Sequence, residues 1–450
     1  MMWTIHAAAQ SIGAQVRGND VGFARVTTDS RQIQPGDLFV ALRGDKFDGH
    51  DYAVRALAQG AAAVMLDEHA ALDIVPAIVV TDTRLALGQL AAAWRQKMPA
   101  RVLAITGSSG KTSVKEMLAA ILCAAVGTEA VLATQGNLNN DIGMPLTLLR
   151  LRSEHQFAVV EMGMNHAGEI AYLSKLARPD VAVIINAGTA HIGMLGSQRA
   201  IALAKGEIWS GLGEHGVAVI NADDTYADLW RSLAGKYRLM DFGLVHAQDV
   251  RGSYSAQPMT SDISMQIGDE PLTVHLNVAG EHNVMNALAA AATAHAVNVD
   301  LSAIKAGLES YQGVKGRLQR KPALHGAIVI DDSYNANPDS TRAAIQVLAA
   351  STGRKILVLG DMGELGDEAA VMHAQIGAMA KAAGVDALYA LGDLSRQTVS
   401  GFGTGAQHYA DVSVLAADVL ATLATDVTVL VKGSRFMQME RVVKILEEQA

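Results

Sequence analysis

The chain has 450 residues, half of them hydrophobic, which is enough for roughly two to four domains, each with its own core. Acidic residues outnumber basic ones, 45 against 36, so no overall positive field recruits nucleic acid, and an anionic substrate must be held by locally placed Lys, Arg and backbone N–H groups. One cysteine, Cys123, excludes an intramolecular disulfide and reads as a packed thiol in a reducing compartment. The N-terminus lacks a basic leader, and its apolar residues are broken by His6, Gln10 and Ser11. The longest uncharged stretch, residues 181–198, carries Asn186, Gly188, Thr189 and His191. Neither a secretory signal nor a membrane span is expected, and the expected location is the cytoplasm.

Residues 1–98 alternate short apolar strands (38–42, 63–66, 78–80) with helices (from Asp51 to a stop at Gly60, and near 84–97), the pattern of a small α/β domain. Two polar stretches fall at expected strand ends, Thr-Asp-Ser-Arg over 28–31 and Arg-Gly-Asp-Lys-Phe-Asp-Gly-His over 43–50. Arg31, Arg43 and Lys46 supply charge, Ser30 a hydroxyl, and Gly44 and Gly49 let backbone N–H groups come close, so both stretches could hold an anion. Taken singly, each residue reads equally as part of a solvated turn. Met98-Pro99-Ala100 marks a linker.

The run 102–105 is short, apolar and partly β-branched, as a buried strand should be. After it come Thr106-Gly107-Ser108-Ser109-Gly110-Lys111-Thr112-Ser113, and then Val114, Met117, Leu118, Ile121, Leu122 and Ala125 at the spacing of one helical face. Strand, glycine loop and helix in that order aim the orphan N–H groups of the first helical turn at whatever fills the loop. A polyphosphate suits that field, with Lys111 reaching its terminal groups and Thr112 placed to ligate Mg²⁺. In the general pattern G-x-x-x-x-G-K-[ST] the first glycine would fall at Ile105, whereas here it is Gly107.

This shortened T-G-S-S-G-K-T loop resembles that of the Mur ligases and their folylpolyglutamate synthetase relatives. T-D-S-R, P-G-D-L-F-V-A and the G-x-x-x-D-G-H-D containing Gly44, Asp48, Gly49 and His50 likewise resemble the uridine-diphosphate-binding domain of the Mur ligases that extend the peptidoglycan stem peptide. The resemblance implies that Ser30, Arg31 and the loop from Arg43 to His50 grip a UDP-sugar.

Strand signals recur at 157–160, 181–185 and 217–220, for which a mostly parallel sheet with covering helices is the natural solution. Glu161 ends one strand, where open α/β sheets place ligands, and is a candidate Mg²⁺ ligand. Asn139-Asn140-Asp141-Ile142-Gly143 precedes Pro145 and reads as a helix cap. Resemblance turns it into a loop facing the γ-phosphate and acceptor. His191 alone reads as structural or exposed, and Lys205, on a helix around 201–212, as a surface lysine. The resemblance implies instead that His191 ligates a second magnesium ion and that Lys205 is carbamylated, an oxygen-bearing anion suited to a hard cation. Gly280-Glu281-His282-Asn283-Val284-Met285-Asn286 opens an Ala-rich helix and resembles the family's G-x-H-N-x-x-N motif, which makes His282, Asn283 and Asn286 candidates for nucleotide contact.

A turn-prone connection, 311–322, carries Gly313, Gly316 and Arg317. Apolar strands follow at 327–330, 355–359, 388–391 and 427–431, without a G-x-G-x-x-G, so a dinucleotide cofactor is not indicated. Three polar loops follow such strands: Asp331-Asp332-Ser333-Tyr334-Asn335-Ala336-Asn337-Pro338, Leu359-Gly360-Asp361-Met362-Gly363-Glu364-Leu365-Gly366, and Lys432-Gly433-Ser434-Arg435. Three such loops on one sheet edge suit a ligand crevice. D-D-S-Y-N-A-N-P and L-G-D-M-G-E-L-G resemble the Mur ligase branch that adds D-alanyl-D-alanine to a UDP-N-acetylmuramoyl-tripeptide; the D-N-P-R signature of the branch adding a diamino acid is not matched at Asp339-Ser340-Thr341-Arg342.

The expected class is therefore α/β in three domains: 1–98, a small UDP-sugar-binding α/β domain; 99–314, a central P-loop ATPase-like domain with a mostly parallel sheet; and 315–450, a Rossmann-like domain. By analogy ATP lies between the second and third, with Arg317, Asp332 and Asn335 closing over it, Tyr334 and Asn337 facing substrate, and a monomer sufficing. Two alternatives stay open: another amide-forming enzyme of Mur or folylpolyglutamate type, and a nucleotide-switched binding protein that forms no peptide bond.

Overall fold

The structure, a computed structural model, describes residues 1–70, 72–257 and 260–447. Its first sheet is formed by β1 (Gln15–Arg17), β2 (Arg25–Thr27), β3 (Asp37–Val40), β4 (Ala63–Asp67) and β5 (Ala77–Val80) in the order β1-β5-β4-β3-β2. All neighbours are parallel except β1 against β5. The polar stretches 28–31 and 43–50 therefore leave the carboxyl ends of adjacent parallel strands. The helix α1 (Thr83–Arg95) starts on an Asp82 side chain that accepts from two backbone N–H groups, and packs against the next sheet's helices.

The central sheet has nine strands: β6 (Arg101–Thr106), β7 (Val131–Ala133), β8 (Phe157–Glu161), β9 (Val181–Ile184), β10 (Val217–Asn221), β11 (Arg238–Gly243), β12 (Val250–Ala256), β13 (Ser261–Ile267) and β14 (Glu270–Leu276), in the order β7-β8-β6-β9-β10-β11-β12-β13-β14. Strands β7 to β12 are parallel, and β13 and β14 close the sheet as an antiparallel tail. That tail was not anticipated from sequence: Ser261, Ile263, Met265 and Ile267 alternate with more exposed residues, the half-buried pattern of an antiparallel strand with one wetter face. Along β6, Val102 and Ala104 join one core while Leu103 and Ile105 join the other, because a parallel strand is buried on both faces.

Helix α2 (Lys111–Val126) follows β6. Its expected face is buried from Val114 to Leu122, but Ala125 is exposed in the last turn, before Gly127 ends the helix, and Cys123 is half-buried with its thiol pushed up by burial. The Ala-rich α3 (Glu281–His295) and α4 (Leu301–Ser310) pack against α2. Alanines let α3 sit almost wholly inside.

The third sheet comprises β15 (Gln319–Pro322), β16 (Ile328–Asp332), β17 (Arg354–Gly360), β18 (Ala387–Leu391), β19 (Ala406–Tyr409) and β20 (Val427–Lys432), ordered β15-β16-β20-β17-β18-β19. All but β15 are parallel, so the loops after β16, β20 and β17 leave one edge side by side. The two edge strands, β15 and β19, are short and partly polar, which is why apolar runs did not reveal them. Among the described residues no helix is long and apolar enough to cross a membrane.

A close helix contact bears on α2, the helix that follows the glycine loop. A Cβ built on Gly307 of α4 would stand 2.3 Å from the Ile121 Cα of α2. Gly307→Ala is expected to push the helices apart and cost about 1–3 kcal/mol, read as a lower midpoint of unfolding; an unchanged midpoint would show that α4 is free to shift.

Candidate active site

The glycine loop leaves the middle of the central sheet. Gly110 takes φ 84°, and a Cβ there would meet the Asn286 Oδ1 of α3 at 2.4 Å, so only glycine suits the turn into α2. Asn186, just beyond the neighbouring β9, holds the loop: its Oδ1 accepts from the Ser108 and Ser109 N–H groups at 3.0 Å each, and its Nδ2 donates to the Ser109 carbonyl at 3.1 Å. Lys111 folds back to donate to the Gly107 carbonyl at 2.8 Å, and burial lowers its pKa.

On the other side of β6 stands Glu161, 2% exposed at the end of β8. The Thr112 hydroxyl donates to its Oε2 at 2.9 Å and Asn139 Nδ2 to its Oε1 at 2.7 Å. No Lys, Arg or His of the described residues lies within ion-pair distance of this buried carboxylate, which makes a hydroxyl and a carboxylate meeting at the loop a donor pair suited to a hard cation. Among the described residues no three His, Cys, Asp or Glu side chains gather closely enough to hold an ion unaided. His191 takes φ 65° at the start of a short helical turn, and its Nδ1 stands 2.6 Å from Glu364 Oε2 but off the hydrogen-bond direction. Contrary to the surface position read from its spacing, Lys205 is 2% exposed on the helix Gln198–Gly206, and burial, with the nearby Lys111 charge, holds its amine far below the usual lysine range.

The facing wall comes from the third sheet and the connection before it. Arg317 donates to the Thr112 hydroxyl at 3.0 Å and lies 4.4 Å over the Tyr334 ring. Asp332 accepts from Lys432 Nζ at 2.5 Å and from the Leu318 N–H at 3.1 Å. Asn337 Nδ2 donates to Ser109 Oγ at 3.3 Å, and Asp339 Oδ2 accepts from Thr189 N–H and hydroxyl at 2.6 and 2.8 Å. Together these surfaces enclose a cavity of about 650 Å³. Ser108, Ser109, Gly110, Lys111, Thr112, Ser113, Asn139, Glu161, His191, Asn283, Asn286, Arg317, Asp332, Tyr334, Asn335 and Asn337 all line it. Gly107, Asn140, Asp141 and Lys205 do not. Asn140 Oδ1 caps the helix that begins at Gly143, and Asp141 is held in a two-point ion pair with Arg84 of α1.

The residues expected to grip a UDP-sugar lie apart from this cavity. Arg31 is exposed and paired with Asp29, whose carboxyl it holds at about 2. Arg43 is shared between Asp48 and Asp67. His50 is buried, its Nδ1 2.6 Å from Asp48 Oδ1 and its Nε2 accepting from the Asp67 N–H at 3.1 Å. A Cβ on Gly49 would meet the Leu42 backbone at 2.7 Å, which pins this loop against β3. Ser30 is half-buried, and Gly44 and Lys46 are exposed.

Residues 23–95 match the Mur ligase family catalytic domain, 105–294 the Mur ligase middle domain, and 316–435 the Mur ligase glutamate ligase domain. The chain belongs to the Mur ligase family. This Mur ligase is 44% identical over 449 residues to the UDP-N-acetylmuramoyl-tripeptide--D-alanyl-D-alanine ligase of Escherichia coli, covering 99% of this chain and 98% of that one. Its fold is similar to MurF from Acinetobacter baumannii, with TM-score 0.91, 38% identity and 98% of each chain covered. It is also similar to MurF ligase from Thermotoga maritima in complex with ADP, with TM-score 0.84, 28% identity, and 94% and 96% coverage.

Several residues of this Mur ligase's cavity were not singled out from sequence. Asn186 stood in plain view after an apolar strand, a position that in a parallel sheet borders the neighbouring strand's loop. Asp224, whose carboxyl burial pushes up, lines the cavity from beyond β10, and Thr189 and Asp339 bridge its walls. His282, already a candidate from the sequence, lines it as well, its pKa pushed down to about 4 by burial and the Lys432 charge. A histidine so depressed is neutral in the folded protein and binds a proton more readily unfolded, so stability is lost as pH falls from 6.5 toward about 4. The His282 ring is expected to titrate near the lower value by NMR, and His282→Gln to flatten that part of the stability profile; titration near 6.5 would mean that the ring is solvated.

Proposed function

We propose that this Mur ligase joins D-alanyl-D-alanine to UDP-N-acetylmuramoyl-tripeptide, giving UDP-N-acetylmuramoyl-pentapeptide, ADP and phosphate in peptidoglycan precursor synthesis. The observation that carries it is the 44% identity, over essentially the whole of both chains, to a ligase of that name. The cavity supports it, with a phosphate-binding loop on one wall and the strand-end loops of a second sheet on the other. ATP use is supported by the ADP complex of the Thermotoga maritima relative.

The chemistry assigned to the site runs in two steps. A carboxylate oxygen of the tripeptide attacks the γ-phosphorus and the bond to ADP breaks, leaving an acyl phosphate. The dipeptide amine attacks the acyl carbon, and the tetrahedral intermediate collapses with loss of phosphate and of the amine proton. Alignment and charge neutralisation do most of this work, positioning being worth up to about 7–11 kcal/mol. Lys111 exchanges the Gly107 carbonyl for a terminal phosphate, and the N–H groups of Gly107 to Ser113 cradle the chain of phosphates. Asn283, Asn286, Asp332 and Asn335 hold the nucleoside side, while Arg317 leaves Thr112 to cover the phosphates.

Thr112, Glu161 and His191 are the residues that would hold magnesium, and the buried Glu161 without a cationic partner is the feature that fits it. A bound magnesium ion supplies charge neutralisation to the phosphates. Burial favours the neutral Lys205 amine, the form able to add carbon dioxide with a new N–C bond and loss of a proton, and the resulting carbamate would face the Lys111 charge and be the group that would help hold a second magnesium ion. The first unit, 1–98, takes the UDP-sugar through Ser30, Arg31, Arg43, Gly44, Lys46, Asp48, Gly49 and His50; its arginines exchange carboxylate for diphosphate. Units 99–314 and 315–450 hold ATP between them, and Asn139, Asn140, Asp141, Tyr334 and Asn337 meet the peptide substrates. One chain supplies the whole cavity, which favours a working monomer, and the substrates suit the cytoplasm.

Phosphate release from ATP and Mg²⁺ is expected only with UDP-N-acetylmuramoyl-tripeptide and D-alanyl-D-alanine together, with mass spectrometry showing a product heavier by the dipeptide less water. Release with a single amino acid would move the assignment to a sibling ligase. Lys111→Ala is expected to abolish turnover in a folded protein. Lys205→Ala should lose most activity, with short carboxylates restoring part of it, and undiminished activity would defeat the carbamate.

A further inference from the structure

We infer that Lys432 is a positioning residue that sets Asp332 and the Asp332–Asn335 turn for the nucleotide, and through Asp332 ties the third sheet to the Arg317 connection. Its ammonium is 2% exposed at the end of β20, yet borders the cavity. One N–H donates to Asp332 Oδ2 at 2.5 Å and another to the Asn335 carbonyl at 2.9 Å. The other Asp332 oxygen accepts from the N–H of Leu318, a non-glycine residue held at φ 51° directly after Arg317. One lysine thus binds the ends of two adjacent strands, β16 and β20, and reaches by one carboxylate the segment that carries Arg317 to Thr112.

The arrangement is more than a packed ion pair. Burial pushes the Asp332 carboxyl up, and Lys432 works against that push from inside the same cavity. Without the ammonium, Asp332 keeps the Leu318 N–H but loses the charge that favours its anion, and the Asn335 carbonyl loses its partner. The 332–335 turn is then free to leave the place the nucleotide requires. The UDP-sugar loops lie on another sheet, and among the described residues no hydrogen bond or ion pair joins them to this cluster.

The inference rests on the assignment of this cavity to ATP, and the experiment separates the two. Lys432→Met, Lys432→Arg, Asp332→Asn and the Met/Asn double variant are compared with the wild-type chain for ADP affinity by calorimetry, and for KM of ATP and of the UDP-sugar in the ligation assay. A folded Lys432→Met is expected to weaken ADP and raise the KM of ATP about tenfold or more, with the UDP-sugar KM unchanged. Lys432→Arg should recover much of the loss, and the double variant should be no worse than the more damaging single one, because the two residues act as a unit. Should Lys432→Met fail to fold, Lys432→Gln, which keeps a donor for Asn335 without the charge, is read by the same split. Unchanged ATP parameters, equal losses for both substrates, or additive losses in the double variant overturn the positioning role. A wild-type chain that does not bind ADP overturns the nucleotide assignment and the inference with it.

Discussion

Everything in the cavity depends on one turn whose backbone N–H groups find no partner in the sheet ladder or the helix that flank it. β6 lies between β8 and β9 in parallel register, with Ile105 opposite Glu161 and Thr106 opposite Ile184. That register brings a carboxylate from one neighbour and the Asn186 amide from the other to the same loop. Buried amides outside a ladder or helix are costly unless something accepts from them, and Asn186 Oδ1 does so for Ser108 and Ser109. The space the loop needs is kept by the absence of a side chain at Gly110, against Asn286.

Burial sets the electrostatics of this acidic chain. With 45 acidic residues against 36 basic ones there is no general attraction for a polyanion, so site cations such as Lys205 and Lys432 are buried where water screens them little. Lys111 and Lys205 are close enough for one to lower the other. The arginines of the first sheet are handled in the opposite way. They lie near the surface beside aspartates, so any anion that they take must compete with charge already in place.

The α/β class, the order of the elements and the loop before α2 were all legible in the sequence, because apolar runs and a glycine-rich strand-to-helix turn are local signals. The glycine spacing also pointed to phosphate. Lys205 was misread for a physical reason: it stands four residues after Ile201 on the inward side of its helix, where a lone lysine among alanines carries no local sign of burial. The Asp141 pair with Arg84 and the Asp339 bridge to Thr189 join residues far apart in the chain, and no periodicity encodes them. Asn186 was the nearest miss, since its place after a strand was known and its partner strand was not. The edge strands β15 and β19 escaped because solvated edges carry too few apolar residues to mark them.

The hydrophobic cores are not distributed one to each sheet. A single cluster runs from Trp3 and Ile5 through Leu87 and Trp94 to Val102, Leu148, Ile184 and Trp230, while the clusters of the third sheet include no residue before Leu318. A chain divided near residue 98 would bare matching oily faces on both fragments, whereas one divided near 315 would part mostly polar surfaces. The first two units are therefore welded through one core, and the third is joined to the wall of the phosphate loop by polar contacts such as Asn337 with Ser109 and Asp339 with Thr189.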